Sequence, residues 1–297
     1  MRIAALDIGG TAIKSGIWDG EELTVLQERE TGASRGAERV MERVVEILRG
    51  CGPFDAVGVS TAGQVDTARG SIHYANGNMP GYTGMKVREI LEREFGVPVA
   101  VENDVNAAAL GEMYRGAARG LDSFLCLTYG TGVGGAIVMD GKIWAGSNWA
   151  GGSFGGIMVH PEQWNAGEEW SGCYEKYASV TALVGKARQI DPALDDGRRI
   201  FAAMERQEVR EAVDQWIDEI VYGLVTLIHI FNPGHILLGG GILAQPYVLE
   251  EIRRRVMPRL MPETRTVEIQ RTALGNRAGL VGASVLAGQL LEGQAWK

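Results

Sequence analysis

The sequence predicts an α/β protein built from two similar halves, on three observations. Short apolar runs typical of strands alternate with amphipathic runs typical of helices along the 297 residues. Two glycine-rich turns, starting at Gly9 and Gly130, each follow one strand and lead into another. A shift of 121 residues aligns the strand, glycine turn, strand and Asp-Gly turn of the first half with those of the second. This recurrence in register is the pattern expected of a duplicated domain.

The first glycine turn connects two antiparallel strands. Residues 3–6 and 12–18 predict these strands, and Asp19-Gly20 joins the second of them to a third, because Asp-Gly between strand-like runs favours a hairpin. No helix follows the glycines directly. The turn is therefore neither a Rossmann fingerprint nor a Walker A loop, since each of those opens a helix.

The rest of the first half predicts alternating helices and strands. We expect helices over residues 36–48, 87–95 and 105–115, strands over 54–60 and 97–101, and an irregular segment over 70–84. Asn103 and Asp104 lie where a strand meets a helix, and capping of the helix alone would explain them. The phosphate-type glycine turns on either side favour a second interpretation, in which Asp104 is a general base.

The second half predicts a similar alternation. We expect strands over 123–128, 136–139, 235–238 and 266–270, helices over 178–189, 197–206, 209–231, 247–257 and 278–290, and loops over 144–170. Gly116 and Gly120 flank the predicted domain boundary. The predicted domains are residues 1–117, completed by the C-terminal helix in 278–297, and residues 118–277.

Composition excludes several classes of partner. The net charge is −8 and lysines and arginines form no block, which argues against nucleic acid and anionic membrane as partners. The three cysteines show no disulfide pattern, and Met1 runs directly into a strand without a signal peptide. The longest apolar stretch is broken by His229 and is too short to span a bilayer. We therefore expect a cytoplasmic protein.

Four motifs resemble those of the ROK family of sugar kinases, in the same order and over nearly the whole chain. They are Asp7-Ile8-Gly9-Gly10-Thr11, Glu102-Asn103-Asp104-Val105-Asn106-Ala107, Gly130-Thr131-Gly132-Val133-Gly134-Gly135 and Leu238-Gly239-Gly240-Gly241. Each motif alone is weak, and the four together are specific. The resemblance implies an actin-like, hexokinase-like (ribonuclease H-like) duplicated fold of two α/β domains, with ATP and sugar in a central cleft.

The resemblance also implies how the chain binds ATP and Mg²⁺. The glycine turns would hold phosphates, since glycine allows close approach and positive φ and its N–H can point at phosphate oxygens. Asp7 would organise Mg²⁺ through water, because this ion prefers hard oxygen ligands. The residues so implied are Asp7, Gly9, Gly10, Thr11, Lys14, Gly130, Thr131, Gly132, Gly134, Gly239, Gly240 and Gly241. Hairpin geometry remains an alternative for Gly9 and Gly130, and a strand-to-helix turn for the third glycine run.

Asp104 matches the family's general base, which takes the proton from the sugar's primary alcohol. The resemblance thus implies transfer of the γ-phosphoryl group of ATP to the 6-hydroxyl of a hexose or hexoside. The residues implied to line the sugar site are Gly63, Asn78, Asn103, Asp104, Ser153 and Glu175. A solvated position at a helix start is an alternative for Glu175.

The chain departs from the family pattern in one segment. Ser153 and Gly156 stand where many members have a sugar-binding Glu and a His, and Cys173 is the last of three expected cysteines. A structural zinc site needs four N or S ligands, so we expect no zinc. The loss removes ligands near the sugar's C1 and C2 hydroxyls. The pocket is therefore expected to accept a substituent there, as in the zinc-free β-glucoside kinases that the chain resembles.

The resemblance is also compatible with other functions. Glucokinase or N-acetylmannosamine kinase specificity remains open. A sugar-sensing repressor is disfavoured because the phosphate motif begins at Asp7, with no helix-turn-helix before it. A non-catalytic sugar-binding or regulatory member is favoured by Ser153 and Gly156 and disfavoured by the presence of Asp104 and both glycine turns. The family suggests a homodimer with a small-molecule sugar as substrate.

Overall fold

The structure, a computed structural model, describes residues 1–293 as a mixed α/β fold in two compact units. The first unit comprises Met1–Asp122, Val138–Gly151 and the segment from Asn276, and the second comprises Ser123–Ile137 and Gly152–Gly275. The predicted domains, residues 1–117 with 278–297 and residues 118–277, stay a prediction.

Strands and helices alternate through most of the chain. The strands are β1 (Ile3–Ile8), β2 (Ala12–Trp18), β3 (Leu23–Glu30), β4 (Ala56–Thr61), β5 (Gln64–Asp66), β6 (Ser71–Tyr74), β7 (Val99–Asn103), β8 (Phe124–Tyr129), β9 (Val133–Met139), β10 (Lys142–Ile143), β11 (His235–Gly239) and β12 (Glu268–Arg271). The helices are α1 (Ala37–Arg49), α2 (Val87–Phe95), α3 (Asp104–Arg115), α4 (Glu175–Ala178), α5 (Val180–Ile190), α6 (Gly197–Ala202), α7 (Gln207–Phe231), α8 (Pro246–Val256) and α9 (Ala278–Leu291).

The sheet of the first unit brings three strand ends to one edge. Its strand order is β3-β2-β1-β4-β7, in which β1 is antiparallel to β2 and parallel to β4, and β4 is parallel to β7. Asp7 on β1 is paired with Ser60 on β4, and Ser60 is paired with Glu102 on β7. Parallel pairing therefore places the first glycine turn at the same edge of the sheet as the junction of β7 and α3, with the end of β4 between them.

The second unit repeats this arrangement. Its strand order is β9-β8-β11-β12, with β8, β11 and β12 parallel, and β10 pairs with the last residues of β9. Strands β8 and β9 begin and end 121 residues after β1 and β2. The predicted duplication is thus confirmed by the bounds of the strands.

Each unit has its own apolar core, and that of the second is built around α7. Trp216 on this helix is fully buried, and its indole N–H donates to the carbonyls of Ala178 and Ser179, each at 3.0 Å. Ser179 in turn caps α5 by accepting from the N–H of Ala182. The core therefore fixes the junction of α4 and α5, which follows the short helix that Glu175 begins.

Helix α9 packs into the first unit through small residues. A methyl group added at Gly282 would lie far inside contact distance of the Ala107 carbonyl on α3, and one added at Gly58 on β4 would meet the carbonyl of Ala283. Glycine is required at these positions because backbone lies directly against backbone. The helix that begins with Asp104 is therefore held by the last helix of the described chain.

The structure differs from the predicted elements in three places, and the first is that the helix expected over 197–206 ends at Ala202. The segment 70–84, expected to be irregular, contains strand β6, which pairs with β5 in a hairpin that turns at Gly70, where φ is positive. Strand β9 begins at Val133 and not at residue 136, because Gly135 belongs to the strand and is covered by Phe154. Gly70 at the turn of the hairpin and Gly134-Gly135 in β9 concealed regular strands in these two cases. Within residues 1–293, no helix combines the length and apolarity needed to cross a bilayer.

Candidate active site

Asn103 and Asp104 form a single hydrogen-bonded unit at the start of α3. Asn103 is the N-cap, and its Oδ1 accepts from the N–H groups of Val105 and Asn106 at 3.0 and 3.1 Å. Its Nδ2 donates at 2.9 Å both to the Gly63 carbonyl and to Oδ1 of Asp104. The capping alternative is therefore correct for Asn103, and the same side chain also orients the carboxylate of Asp104.

The carboxylate of Asp104 has the protonation behaviour of a base used near neutral pH. Burial, and secondarily the charge of Asp7, raises its pKa to about 6, against the opposing hydrogen bonds from Val105 and Asn103. Both of these hydrogen bonds end on Oδ1. A general base is most efficient when its pKa lies near the working pH.

Asp7 lies at the end of β1. Its Oδ1 accepts a hydrogen bond of 2.7 Å from the Ser60 hydroxyl, and Lys14 is its cross-strand partner on β2. Burial raises the pKa of Asp7, which Ser60 and Lys14 partly offset. Burial makes the carboxyl groups of both Asp7 and Asp104 difficult to ionise. A divalent cation bound near them would be favoured, because it would stabilise their charged forms. The residues present thus fit the predicted Mg²⁺.

Glu102 is a buried acid that the sequence analysis did not single out. Its Oε1 accepts from the backbone N–H of Asn103 at 2.8 Å and from Nδ2 of Asn106 at 3.1 Å. Burial raises its pKa to about 7. Glu102 therefore stabilises the position of the N-cap residue Asn103 by accepting its backbone N–H. A glutamate following the apolar run 97–101 was the available signal, since a charged residue there requires a partner.

Replacing Glu102 with Gln is expected to remove a pH dependence of stability. With a pKa raised from 4.5 to about 7, Glu102 stabilises the fold fully below pH 4.5, and this contribution is lost as the pH rises through 7. Glutamine resembles the protonated acid and retains the Oε1 acceptor. The free energy of unfolding, measured with urea, should therefore rise in Glu102→Gln relative to the parent as the pH increases from 5 to 8. Glu89→Gln, at an exposed position, is the control. Parallel curves for parent and Glu102→Gln would contradict this role.

In the first glycine turn, several backbone N–H and C=O groups already form hydrogen bonds within the protein. The N–H of Gly9 donates to the Ala12 carbonyl at 2.9 Å. Buried Thr31 donates through its hydroxyl to the Gly9 carbonyl at 2.6 Å and through its N–H to the Thr11 carbonyl at 2.8 Å. A side chain added at Gly10 would meet nothing within 4 Å. The turn is thus rigid, and its open side is at Gly10.

The second glycine turn is anchored in a similar way. The N–H of Gly130 donates to the Gly132 carbonyl at 3.0 Å, while Val180 N–H and the Thr181 hydroxyl donate to the carbonyls of Gly130 and Thr131 at 2.9 and 2.8 Å. Gly134 follows within β9.

The expectation of positive φ in these two turns is wrong, because the glycines of neither turn adopt it. The space around Gly10 and Gly130 fits the other predicted reason for glycine, which is close approach of a ligand.

The third glycine run contributes a different geometry. Gly239 ends β11, and Gly240 has a φ of 110°, with a side chain there excluded by the carbonyl of Tyr129. Positive φ is thus required at Gly240. This contact holds the third run against the end of β8, where the second turn begins.

A cavity of about 720 Å³ lies within the second unit beside these turns. Predicted cofactor residues Gly130, Thr131 and Gly241 line it. Its walls also include apolar Val180, Val184, Phe201 and Ile242, polar Thr181 and Gln245, and charged Asp195, Asp196 and Arg198. A volume of this size, with apolar walls and a few polar groups, is typical of a cofactor or substrate pocket.

Glu175, at the start of α4, connects the second glycine turn to the segment 153–156. Its Oε2 accepts from the N–H of Val133 at 2.9 Å, and side chains added at Gly132 or Gly155 would meet the carboxylate. Glu175 is partly buried. The solvated alternative does not describe this position, because the carboxylate is bound to the backbone.

The remaining predicted sugar-site residues occupy more open positions. Ser153 is exposed before a short 3₁₀ helix, Phe154–Gly156, and makes no capping hydrogen bond. Asn78 lies in an exposed turn, where its N–H donates to Oδ1 of Asn76 at 3.3 Å. Within the described part of the chain, no hydrogen bond joins Asn78 to Asn103 or Asp104.

The segment that departs from the family's zinc loop is held by hydrogen bonds. His160 contacts the carboxylates of Glu162 and Glu219, each at 2.9 Å, and the N–H groups of Val159 and His160 both donate to the Gly172 carbonyl. Between residues 1 and 293, no group of three or more His, Cys, Asp and Glu side chains is arranged to hold a metal ion. The absence of zinc stays a prediction.

Two duplicated α/β halves, glycine turns at matching strand ends and a carboxylate at a strand–helix junction define a phosphotransferase of the actin-like, hexokinase-like fold. The sequence profile described as "ROK family" matches residues 3–290. The chain belongs to the ROK family and is an ATP-dependent sugar kinase.

Individual relatives are similar over nearly their full length. A β-glucoside kinase of Listeria monocytogenes is 32% identical, over 95% of this chain and 96% of the relative. A glucokinase of Streptomyces coelicolor is 31% identical, over 95% and 96%. The crystal structure of a ROK family glucokinase from Streptomyces griseus in complex with glucose and AMPPNP is 31% identical, with a TM-score of 0.84 over 97% of this chain and 100% of that one.

Proposed function

We propose that this sugar kinase transfers the γ-phosphoryl group of ATP to the 6-hydroxyl of a hexose or hexoside, with Asp104 as the general base. The observation that carries the proposal is the position of Asp104. It lies at a strand–helix junction, is oriented by Asn103, and has a pKa raised to about 6. The carboxylate is thus ionised at neutral pH and still basic enough to assist an alcohol.

In the proposed reaction, Asp104 takes the proton of the sugar's C6 hydroxyl as its oxygen forms a bond to the γ-phosphorus. The bond from the γ-phosphorus to the β–γ bridging oxygen breaks, and ADP leaves with that electron pair. Catalysis of this kind depends on positioning and on neutralising charge. Asn103 supplies the positioning through its hydrogen bonds to Asp104 and Gly63.

ATP would be held by the glycine turns and by the cavity of the second unit. Open space at Gly10 and Gly130 accommodates phosphates, and the apolar walls around Val180 and Phe201 accommodate the nucleoside. Asp7 would hold Mg²⁺ through water, and the bound ion would supply neutralisation of phosphate charge. Lys14, beside Asp7, adds positive charge to the same region.

The choice of hydroxyl follows from chemistry common to the substrates of the relatives. The relatives are named for glucose and for β-glucosides. In a β-glucoside the anomeric oxygen carries the substituent, and the C6 alcohol is the primary hydroxyl that glucose and a glucoside share. Glucokinase or N-acetylmannosamine kinase specificity are the alternatives within this reaction.

An ADP-release assay with glucose, N-acetylmannosamine, allose, cellobiose and phenyl β-glucoside tests the proposal. We expect Asp104-dependent turnover on at least one sugar, with phosphorus coupled to C6 in the NMR spectrum of the product. Turnover on none of the sugars would favour the non-catalytic, regulatory alternative. A product phosphorylated at another carbon would contradict the assignment of the 6-hydroxyl.

We also propose that the enzyme works without zinc, as a homodimer, in the cytoplasm. Gly156 and Cys173 support the first point, since the expected His and two of three cysteines are missing. The three cysteines all lie in the described residues and form no disulfide, in keeping with a reducing compartment. The dimer is supported by the family resemblance alone.

A further inference from the structure

Trp170 is a large side chain in an unfavourable backbone conformation. Its φ is 65°, in the left-handed region that bulky residues rarely adopt. The indole nevertheless remains 38% exposed and does not enter the core. Strained conformations persist where surrounding structure enforces them, and they concentrate at binding sites.

The surroundings of Trp170 hold it firmly. Its carbonyl accepts from the N–H of Cys173 at 3.0 Å, and residues 157–160 pair with 172–174 through four backbone hydrogen bonds or bridges. Nearby, Ser171 both donates to and accepts from the backbone of Asn165. The exposed indole is thus presented on a fixed turn.

The indole lies over Gly156. A side-chain carbon placed at Gly156 would be 3.2 Å from Cζ3 of Trp170 and 3.6 Å from Cη2. At the preceding residue, Gly155, the same construction meets Glu175, at 3.2 Å from its Cβ and 3.3 Å from Oε2. The short segment Gly155-Gly156 is therefore contacted by a carboxylate at its first residue and by an aromatic ring at its second.

This pair has the chemistry that recognises a carbohydrate with a ring attached. A carboxylate accepts hydrogen bonds from sugar hydroxyls, and an indole face stacks on the C–H face of a sugar ring or on an aryl ring. Glu175 is joined to the second glycine turn through the N–H of Val133, whereas Trp170 contacts the segment at Gly156. A substituent that extends away from the phosphorylated end would reach the indole.

We propose that Trp170 is a specificity-determining residue that stacks on the substituent of a hexoside, either an aryl group or a second sugar ring. The proposal rests on the proposed function and names the substrate class for that site. Identity of 32% to a β-glucoside kinase agrees with this class.

The test compares Trp170→Asn with Trp170→Phe on two substrates. Asparagine tolerates positive φ and so keeps the turn while removing the ring. Trp164→Ala is the control, since Trp164 is exposed on the same loop. We expect Trp170→Asn to lower kcat/KM for phenyl β-glucoside about tenfold, mainly by raising KM. The kcat/KM of the same variant for glucose should change by less than about twofold. Trp170→Phe, which retains an aromatic ring, should recover most of the loss on phenyl β-glucoside.

Different experimental results would overturn the role of Trp170 and the assignment as a kinase. Equal losses on glucose and phenyl β-glucoside, or a parent enzyme that phosphorylates glucose and no glucoside, would overturn the inference while leaving the kinase assignment intact. If no sugar is phosphorylated, calorimetric titration of phenyl β-glucoside into the parent and Trp170→Asn decides: tighter binding by the parent supports the stacking role, and equal or absent binding overturns it.

Discussion

Replacing Asp104 with Asn is expected to lower kcat by about 10²- to 10⁴-fold, the usual contribution of a general base. The amide retains an oxygen that can accept from Val105 and Asn103, so the turn keeps its geometry and only the basicity is lost. Affinity for ATP, measured by calorimetry, should stay within about twofold of the parent. Asp19→Asn is the matched control, because Asn-Gly also suits its hairpin turn.

The pH profile provides a second, independent measurement on the same variant. With the pKa of Asp104 raised to about 6, the base is ionised above pH 6 and protonated below it. The kcat/KM of the parent should therefore fall tenfold per unit as the pH drops below 6. Residual activity of Asp104→Asn should lack this limb. Near-normal turnover in the variant, or an acid limb that it retains, would refute the assignment.

Replacing Gly282 with Ala is expected to destabilise the first unit strongly. The added methyl would meet the backbone carbonyl of Ala107, which cannot move without shifting α3 against α9. Overpacking of this kind typically costs about 1–3 kcal/mol and sometimes more. For a chain of this size we expect Tm to fall by several degrees in thermal unfolding followed by circular dichroism.

A substitution on the same helix gives the control. At Gly288 an added methyl would be 3.4 Å from the flexible end of Met1, which is ordinary contact. Alanine is also a better helix former than glycine, by about 1 kcal/mol. Gly288→Ala should therefore leave Tm unchanged or raise it. If both variants behave alike, close backbone packing at Gly282 is not what limits the stability of this unit.

Local patterns in the sequence predicted most of the fold because they report on single elements. Apolar periodicity identified strands such as β1 and helices such as α7, and matching turns identified the duplication. The hairpin β5–β6 was missed, because each of its short strands contributes only one buried apolar residue, Val65 or Ile72, and its turn depends on a positive φ at Gly70. The start of β9 was missed because Phe154, distant in sequence, packs over Gly135.

The candidate site divides in the same way. Asp7, Asn103 and Asp104 were predictable as polar residues at strand ends. The roles of Glu102 and Trp170 depend on neighbours that pairing and loop packing supply, such as Asn106 one turn along α3 and Gly156 beneath the indole. The motifs indicated which glycine-containing turns belong to the candidate site. The reason for glycine could be read only from the backbone, which shows positive φ at Gly240 and open space at Gly10 and Gly130.

The packing of α9 against α3 sets an order for assembly during synthesis. The strands and helices that surround Asp104 have all been translated by residue 122, whereas α9 begins at Ala278. At about 5–20 residues per second, roughly 8–30 seconds of translation separate the two. Throughout that interval the nascent chain exposes the face of α3 around Ala107 and Gly111 that α9 later covers. Asp104 therefore acquires its final packing only after α9 has been synthesised. Until then, this face of α3 stays accessible to chaperones that bind exposed apolar surface.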